Sequence, residues 1–139
     1  LGGLWEEIGW TGYALPQLLA RYAHPQNGML IAALVLGVFR AVWHLPLFLY
    51  GHIFWFDLVF FAMAMQMLIT WLFVRSGGSV IVAMLFHLMS NILGAVMSPV
   101  FAGAARPLYY AWFMGLAALL AILLVAWSFP RKSISSSPT

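Results

Sequence analysis

A chain of 139 residues that is 65% hydrophobic and only 6% charged cannot cover a water-facing surface with polar side chains, because a soluble domain carries roughly 25% charged residues. Its net charge of +3 comes from six basic and three acidic residues, scattered rather than clustered, which excludes a nucleic-acid footprint. Zero cysteines exclude disulfides and thiolate metal sites.

The chain opens on Leu1-Gly2-Gly3, with no Met and no charged signal-peptide n-region, so it reads as a fragment of a larger bundle. The first segment, Leu4–Tyr22, is helix-like but carries Glu6, Glu7, Gln17 and Arg21. Part of its circumference must therefore face protein or a cavity. Four apolar stretches come next, approximately Met29–Tyr50, Ile53–Val74, Val80–Ser98 and Leu108–Phe129. Each approaches the ~20 residues needed to cross a ~30 Å hydrocarbon core. The breaks fall at His24 to Gly28, Gly51-His52, Ser76-Gly77-Gly78, and Pro99 through Pro107. The expected fold is all-α: a polytopic membrane helical bundle of four transmembrane helices plus an N-terminal polar-faced helix. The Ser-rich stretch 131–139 reads as a disordered tail.

Arg21, Arg75, Arg131 and Lys132 fall on one side of this topology and Arg106 alone on the other. The basic side is the expected cytoplasmic one, which places the C-terminus in the cytoplasm. Measured from that side at 1.5 Å per residue, His87 lies roughly 11–12 Å deep, Asn91 about 17 Å, His44 about 22 Å and Glu6 about 24 Å. Three helices thus place polar groups in one intramembrane slab.

Each of these groups has a bland reading and a chemical one. Glu6 and Glu7 are neighbours, about 100° apart around a helix, so they cannot face one ligand alike. They are either solvated acids at a helix end, or a general base and its structural partner. His44 precedes Leu45-Pro46, and a proline there ends or kinks the helix and frees backbone groups. Arg40 lies one turn before His44, and the deep carboxylates available to it are Glu6 and Glu7. One of the two is its expected partner. His87 and Asn91, spaced i and i+4, share a helix face. They either glue two helices together or orient a water or an oxyanion. Gln66 and Thr70 read as helix-packing hydrogen bonders, and His24 and His52 as loop residues.

Glu6-Glu7-Ile8-Gly9-Trp10-Thr11-Gly12-Tyr13, then Trp43-His44-Leu45-Pro46, then His87-Leu88-Met89-Ser90-Asn91 resemble the three motifs of the CPBP family of CAAX-processing and bacteriocin-processing (Abi) intramembrane proteases. That family includes the type II CAAX prenyl endopeptidases. Its motifs are a Glu-Glu pair with Arg four residues after the second Glu, a Phe four residues before a His, and a His four residues before an Asn. The match runs from about Leu4 to Leu93, in the family's order. The resemblance implies a protease domain over residues 1–130. It makes Glu6 the water-activating glutamate, Glu7 its partner, and His44 the histidine that works with Glu6. His87 and Asn91 then become the oxyanion pair. Two positions depart from the pattern: Thr11 stands where the family has Arg, and Arg40 where it has Phe. One guanidinium lost and one gained suggest relocation, with a salt bridge expected from Arg40 to Glu7 across the neighbouring helix.

The family is often labelled metalloprotease. A zinc ion, if bound, would draw on Glu6, His44 and His87, but no His-Glu-x-x-His helix is present, and a glutamate-activated water needs no cofactor. The implied partners are membrane lipid and a peptide or lipidated protein substrate. The implied location is the plasma membrane of a bacterium or archaeon. Two rivals remain from other classes: a non-catalytic immunity or scaffold protein on the same fold, and a proton or cation pathway. Against the second, no polar relay leads from the cluster to both faces, and no inverted-repeat halves occur.

Overall fold

The computed structural model describes residues 2–23, 27–53, 55, 57–97, 99 and 103–128. Helix α1 (Gly2–Gly9) passes through a π-helical turn, Trp10–Ala14, into α2 (Leu15–Arg21). The wide turn has a cause in the sequence. Pro16 has no N–H for the carbonyl four residues behind it, and the Leu15 N–H reaches back five residues to Trp10 O. Helix α3 spans Gly28–Leu49, and a second π-helical turn, Asp57–Phe61, leads into α4 (Ala62–Arg75). Next come α5 (Val80–Met97), a 3-10 turn at Gly103–Ala105, and α6 (Arg106–Ser128). No strand occurs among the described residues.

α3, α5 and the stretch Gly103–Leu123 are long and apolar enough to cross a membrane. The span expected over Ile53–Val74 is shorter. Its α-helical part is the fourteen residues of α4, preceded by the five π-helical residues. Hydropathy merges Ile53 with the apolar residues after it, whereas Gly51 to Ile53 belong to the turn that closes α3, with the His52 N–H on Leu47 O. The expected tail at 131–139 and loop residue His24 lie outside the described residues.

α4 is the hub and packs against α3, α5 and α6. Its contacts are made largely through small side chains: Ala32 and Ala33 on α3, Ala62 and Ala64 on α4, Ala83 on α5 and Ala121 on α6 are buried. Small residues let helices approach closely where lipid removes the hydrophobic drive for helix association. Larger residues fill the rest: Leu15, Leu36 and Phe73 form one cluster, and Met65 and Ile69 join Ala83 in another. The outward faces are apolar as well. Val38, Phe39 and Val42 on α3, Ile81, Leu85 and Met89 on α5, and Leu116, Leu119 and Leu120 on α6 are exposed. An apolar exterior over several helices matches lipid as solvent, and the fold is a helical membrane bundle.

The turn between α4 and α5 needs glycine. Gly77 and Gly78 both take positive φ, 70° and 88°, where other L-residues are strained. This reversal returns the chain so that α5 also packs against α1.

Candidate active site

Glu7 is the centre of the polar cluster and is completely buried. Thr11, one turn later on the same helical segment, donates its hydroxyl to Glu7 Oε2. The other oxygen, Oε1, faces two donors: Arg40 Nη2 of α3 at 2.8 Å and His87 Nδ1 of α5 at 2.7 Å. The guanidinium expected beside Glu7 is therefore in direct contact with it. Arg40 is itself 3% exposed. Its Nε donates to Gln66 Oε1 at 2.9 Å, and Gln66 Nε2 donates to Thr70 Oγ1 at 3.2 Å. One network of charge-assisted and neutral bonds thus ties α1, α3, α4 and α5. Charge-assisted bonds of this kind are roughly twice as strong as neutral ones.

Glu6 points elsewhere, as adjacent helix positions must. It lines an open cavity of about 630 Å³ with Trp10, Phe39, Val42, Trp43, His44, Pro46 and Leu47. Its Oε2 is buried, accepts no hydrogen bond from the described residues, and lies 3.9 Å from Arg40 Nη1. A desolvated carboxylate oxygen without a donor is costly, and the Arg40 guanidinium beside it offsets part of that cost.

His44 shares the cavity with Glu6. Its Nδ1 sits 2.7 Å from the Arg40 carbonyl oxygen. A carbonyl only accepts, so Nδ1 carries the proton and Nε2 of the neutral ring bears the lone pair. Pro46 neither ends α3 nor stops it near His44; the helix runs on to Leu49. The proline does remove the N–H that Val42 O would receive in an uninterrupted helix, and Val42 and Pro46 both line the cavity. Trp10 and Trp43 meet edge to face with centroids 6.2 Å apart, and the Arg40 guanidinium carbon lies 5.8 Å from the Trp10 ring centre. Both rings line the cavity beside Glu6 and His44.

His87 and Asn91 share one face of α5, and that face meets α1 at Gly3. A Cβ at Gly3 would lie 2.9 Å from the His87 ring and 2.9 Å from Asn91 Nδ2. Only glycine lets the two helices close to this distance. Asn91 is otherwise exposed.

The sequence-derived residues therefore divide. Glu7, Arg40 and His87 touch one another; Glu6 and His44 share the cavity; Asn91 stands beside His87 against α1. Gln66, which in the sequence reads only as a helix-packing residue, proves to be Arg40's second anchor. The available signal is its place inside an apolar helix, where a polar side chain is by default a candidate for function. For zinc, the implied set of Glu6, His44 and His87 does not fit. Among the described residues no three His, Cys, Asp or Glu side chains converge to hold a metal ion.

A family model described as type II CAAX prenyl endopeptidase Rce1-like matches residues 1–93, the stretch that contains all three motifs. The chain is also 31% identical over 103 residues to CAAX prenyl protease 2 of Methanococcus maripaludis, an alignment covering 66% of this chain and 36% of that protein. The chain thus spans about a third of the length of the curated relative it matches. No solved structure matches it.

Proposed function

The chain belongs to the type II CAAX prenyl endopeptidase Rce1-like family, and from that membership we propose that it forms the water-activating part of an intramembrane endopeptidase. It is an integral membrane protein of multiple helices. The substrate under this reading is a membrane-associated peptide, foremost a prenylated C-terminus of the CAAX type, as the name of the archaeal relative suggests.

The observation that carries the proposal is the division between two adjacent glutamates. Glu7 is saturated with partners and buried, while Glu6 accepts no hydrogen bond at its buried oxygen and lines a cavity that also holds His44. In the proposed reaction a water enters between Glu6 and His44 Nε2. Glu6 takes its proton as the oxygen attacks the scissile carbonyl carbon, and His44 orients the water by accepting its other hydrogen. The tetrahedral oxyanion is held by donors on α5: Asn91 Nδ2 and, when the ring is doubly protonated, His87 Nε2–H. Glu7 fixes the His87 ring through Nδ1, leaving Nε2 as the edge that meets substrate. Glu6 then returns its proton to the leaving amine, and the C–N bond breaks. The non-catalytic alternative draws on the missing arginine at position 11. Arg40 on Glu7 supplies a guanidinium from the neighbouring helix and weakens that argument.

The test is cleavage of a prenylated C-terminal peptide by the purified full-length protein, with products located by mass spectrometry. Release of the residues beyond the prenylated cysteine supports the proposal, and an intact peptide at high enzyme concentration counts against it.

Orientation is part of the same reading: the Arg75 turn and the C-terminus face the cytoplasm of a bacterial or archaeal cell. Single-cysteine variants in intact cells check this. Ser76→Cys is expected to resist a membrane-impermeant maleimide while His52→Cys reacts, and the reverse pattern would invert the topology.

A further inference from the structure

Gln66 is wholly buried in α4 and takes no direct part in the reaction proposed above. Its orientation is fixed chemically: Arg40 Nε can only donate, so the amide must present oxygen to Arg40 and nitrogen to Thr70. Nε and Nη2 form one edge of the planar guanidinium. Gln66 takes the first and Glu7 the second, at 2.9 and 2.8 Å. Two anchors on one edge fix both the plane and the swing of the group. The remaining nitrogen, Nη1, is left 3.9 Å from Glu6 Oε2, too far for a hydrogen bond and near enough to form one after a small rotation.

We infer that Gln66 is a positioning residue that holds Arg40 on Glu7 and off Glu6, and so decides which of the two adjacent glutamates stays free for water. The inference rests on the reading of Glu6 as the reacting carboxylate. Without Gln66 the Nε–H is a buried donor with no acceptor. The guanidinium then gains by rotating to hydrogen-bond both carboxylates, and the 3.9 Å approach to Glu6 becomes a direct bond that occupies the base.

The rank order of substitutions separates this role from packing. Leucine or methionine fills the volume of Gln66 in an apolar helix, so a purely packing role tolerates Gln66→Leu and Gln66→Met and is harmed by Gln66→Glu. Positioning gives the opposite order, because glutamate keeps an acceptor for Nε.

Two readouts on the full-length protein in lipid or detergent test it. The first is labelling of Glu6 by dicyclohexylcarbodiimide, an apolar reagent that adds to protonated carboxyl groups, quantified by peptide mass spectrometry. The second is turnover of a prenylated C-terminal peptide. In Gln66→Leu and Gln66→Met, Glu6 labelling is expected to fall several-fold and kcat by about 10–100-fold, the scale of one hydrogen bond to a charged group, with KM unchanged. Gln66→Glu is expected to restore both toward the parent. Glu6 labelling that is the same in Gln66→Leu as in the parent overturns the inference whatever turnover does. If labelling shifts as expected but the parent cleaves nothing, the positioning role stands and the protease reading fails.

Discussion

Arg40→Ala is expected to destabilise the protein by about 3–5 kcal/mol, the usual result of removing one partner of a buried ion pair. Glu7 is fully buried, and Arg40 is the permanently charged partner among the three groups that contact it. Its loss leaves Glu7 with Thr11 and His87 and leaves Gln66 Oε1 without its donor. The cost is therefore a carboxylate poorly compensated in low dielectric, in addition to the lost contact. The double variant Arg40→Phe with Thr11→Arg restores the pattern of the family's first two motifs. It returns a guanidinium to the helix segment of Glu7 one turn later and fills the α3 position with an apolar ring. It is expected to recover much of the loss. Thermal unfolding of the full-length protein in detergent measures both. A single variant that melts like the parent, or a double variant no better than the single, contradicts the exchange.

The second large effect is on turnover. Glu6→Gln and His44→Ala are each expected to lower kcat by at least ~10²–10⁴, the usual contribution of general acid–base catalysis. Asn91→Ala is expected to lower it by about 10²–10³, the loss associated with one oxyanion donor. Glu6 sits at the edge of the buried network, 3.9 Å from Arg40 and without a hydrogen bond to its buried oxygen. Its conversion to the amide therefore leaves the bonds of Glu7, Arg40, Gln66 and His87 in place. Parental kcat/KM in both Glu6→Gln and His44→Ala would remove the proposed reaction.

Much of this arrangement is readable in the sequence because lipid makes polar residues expensive. Glu6, Glu7, Arg40, His44, His87 and Asn91 stand out as groups that an apolar chain carries only with partners or a purpose. The Arg40–Glu7 contact is inferable from a guanidinium missing at position 11 and present at position 40. Helix order follows from hydropathy, but helix lengths do not. A 20-residue average cannot register a π-helical turn, so the stretch from Ile53 to Val74 reads as one span. Pro46 reads as ending or kinking α3; a membrane helix tolerates the lost N–H, and the helix does not end there but runs on to Leu49.

Two further features depend on which way side chains turn, and spacing alone does not give that. The i, i+4 spacing of Gln66 and Thr70 reveals a shared face but not that the face looks toward Arg40 across the helix interface. Likewise His87 and Asn91 are paired by spacing, whereas the contact of His87 with Glu7 comes from Gly3 letting α1 approach α5. The sequence shows two adjacent glutamates; the neighbouring helices decide which one is buried.

One paired measurement decides whether Glu6 and Glu7 divide their roles in this way. Full-length Glu6→Gln and Glu7→Gln proteins are purified side by side, and each is scored for melting temperature and for cleavage of a prenylated C-terminal peptide, with and without a metal chelator. Glu6→Gln is expected to melt with the parent and not to cleave, while Glu7→Gln melts well below the parent because its three-partner carboxylate has lost its charge. A Glu6→Gln protein that cleaves at the parental rate, or a Glu7→Gln protein that melts with the parent, would contradict the division.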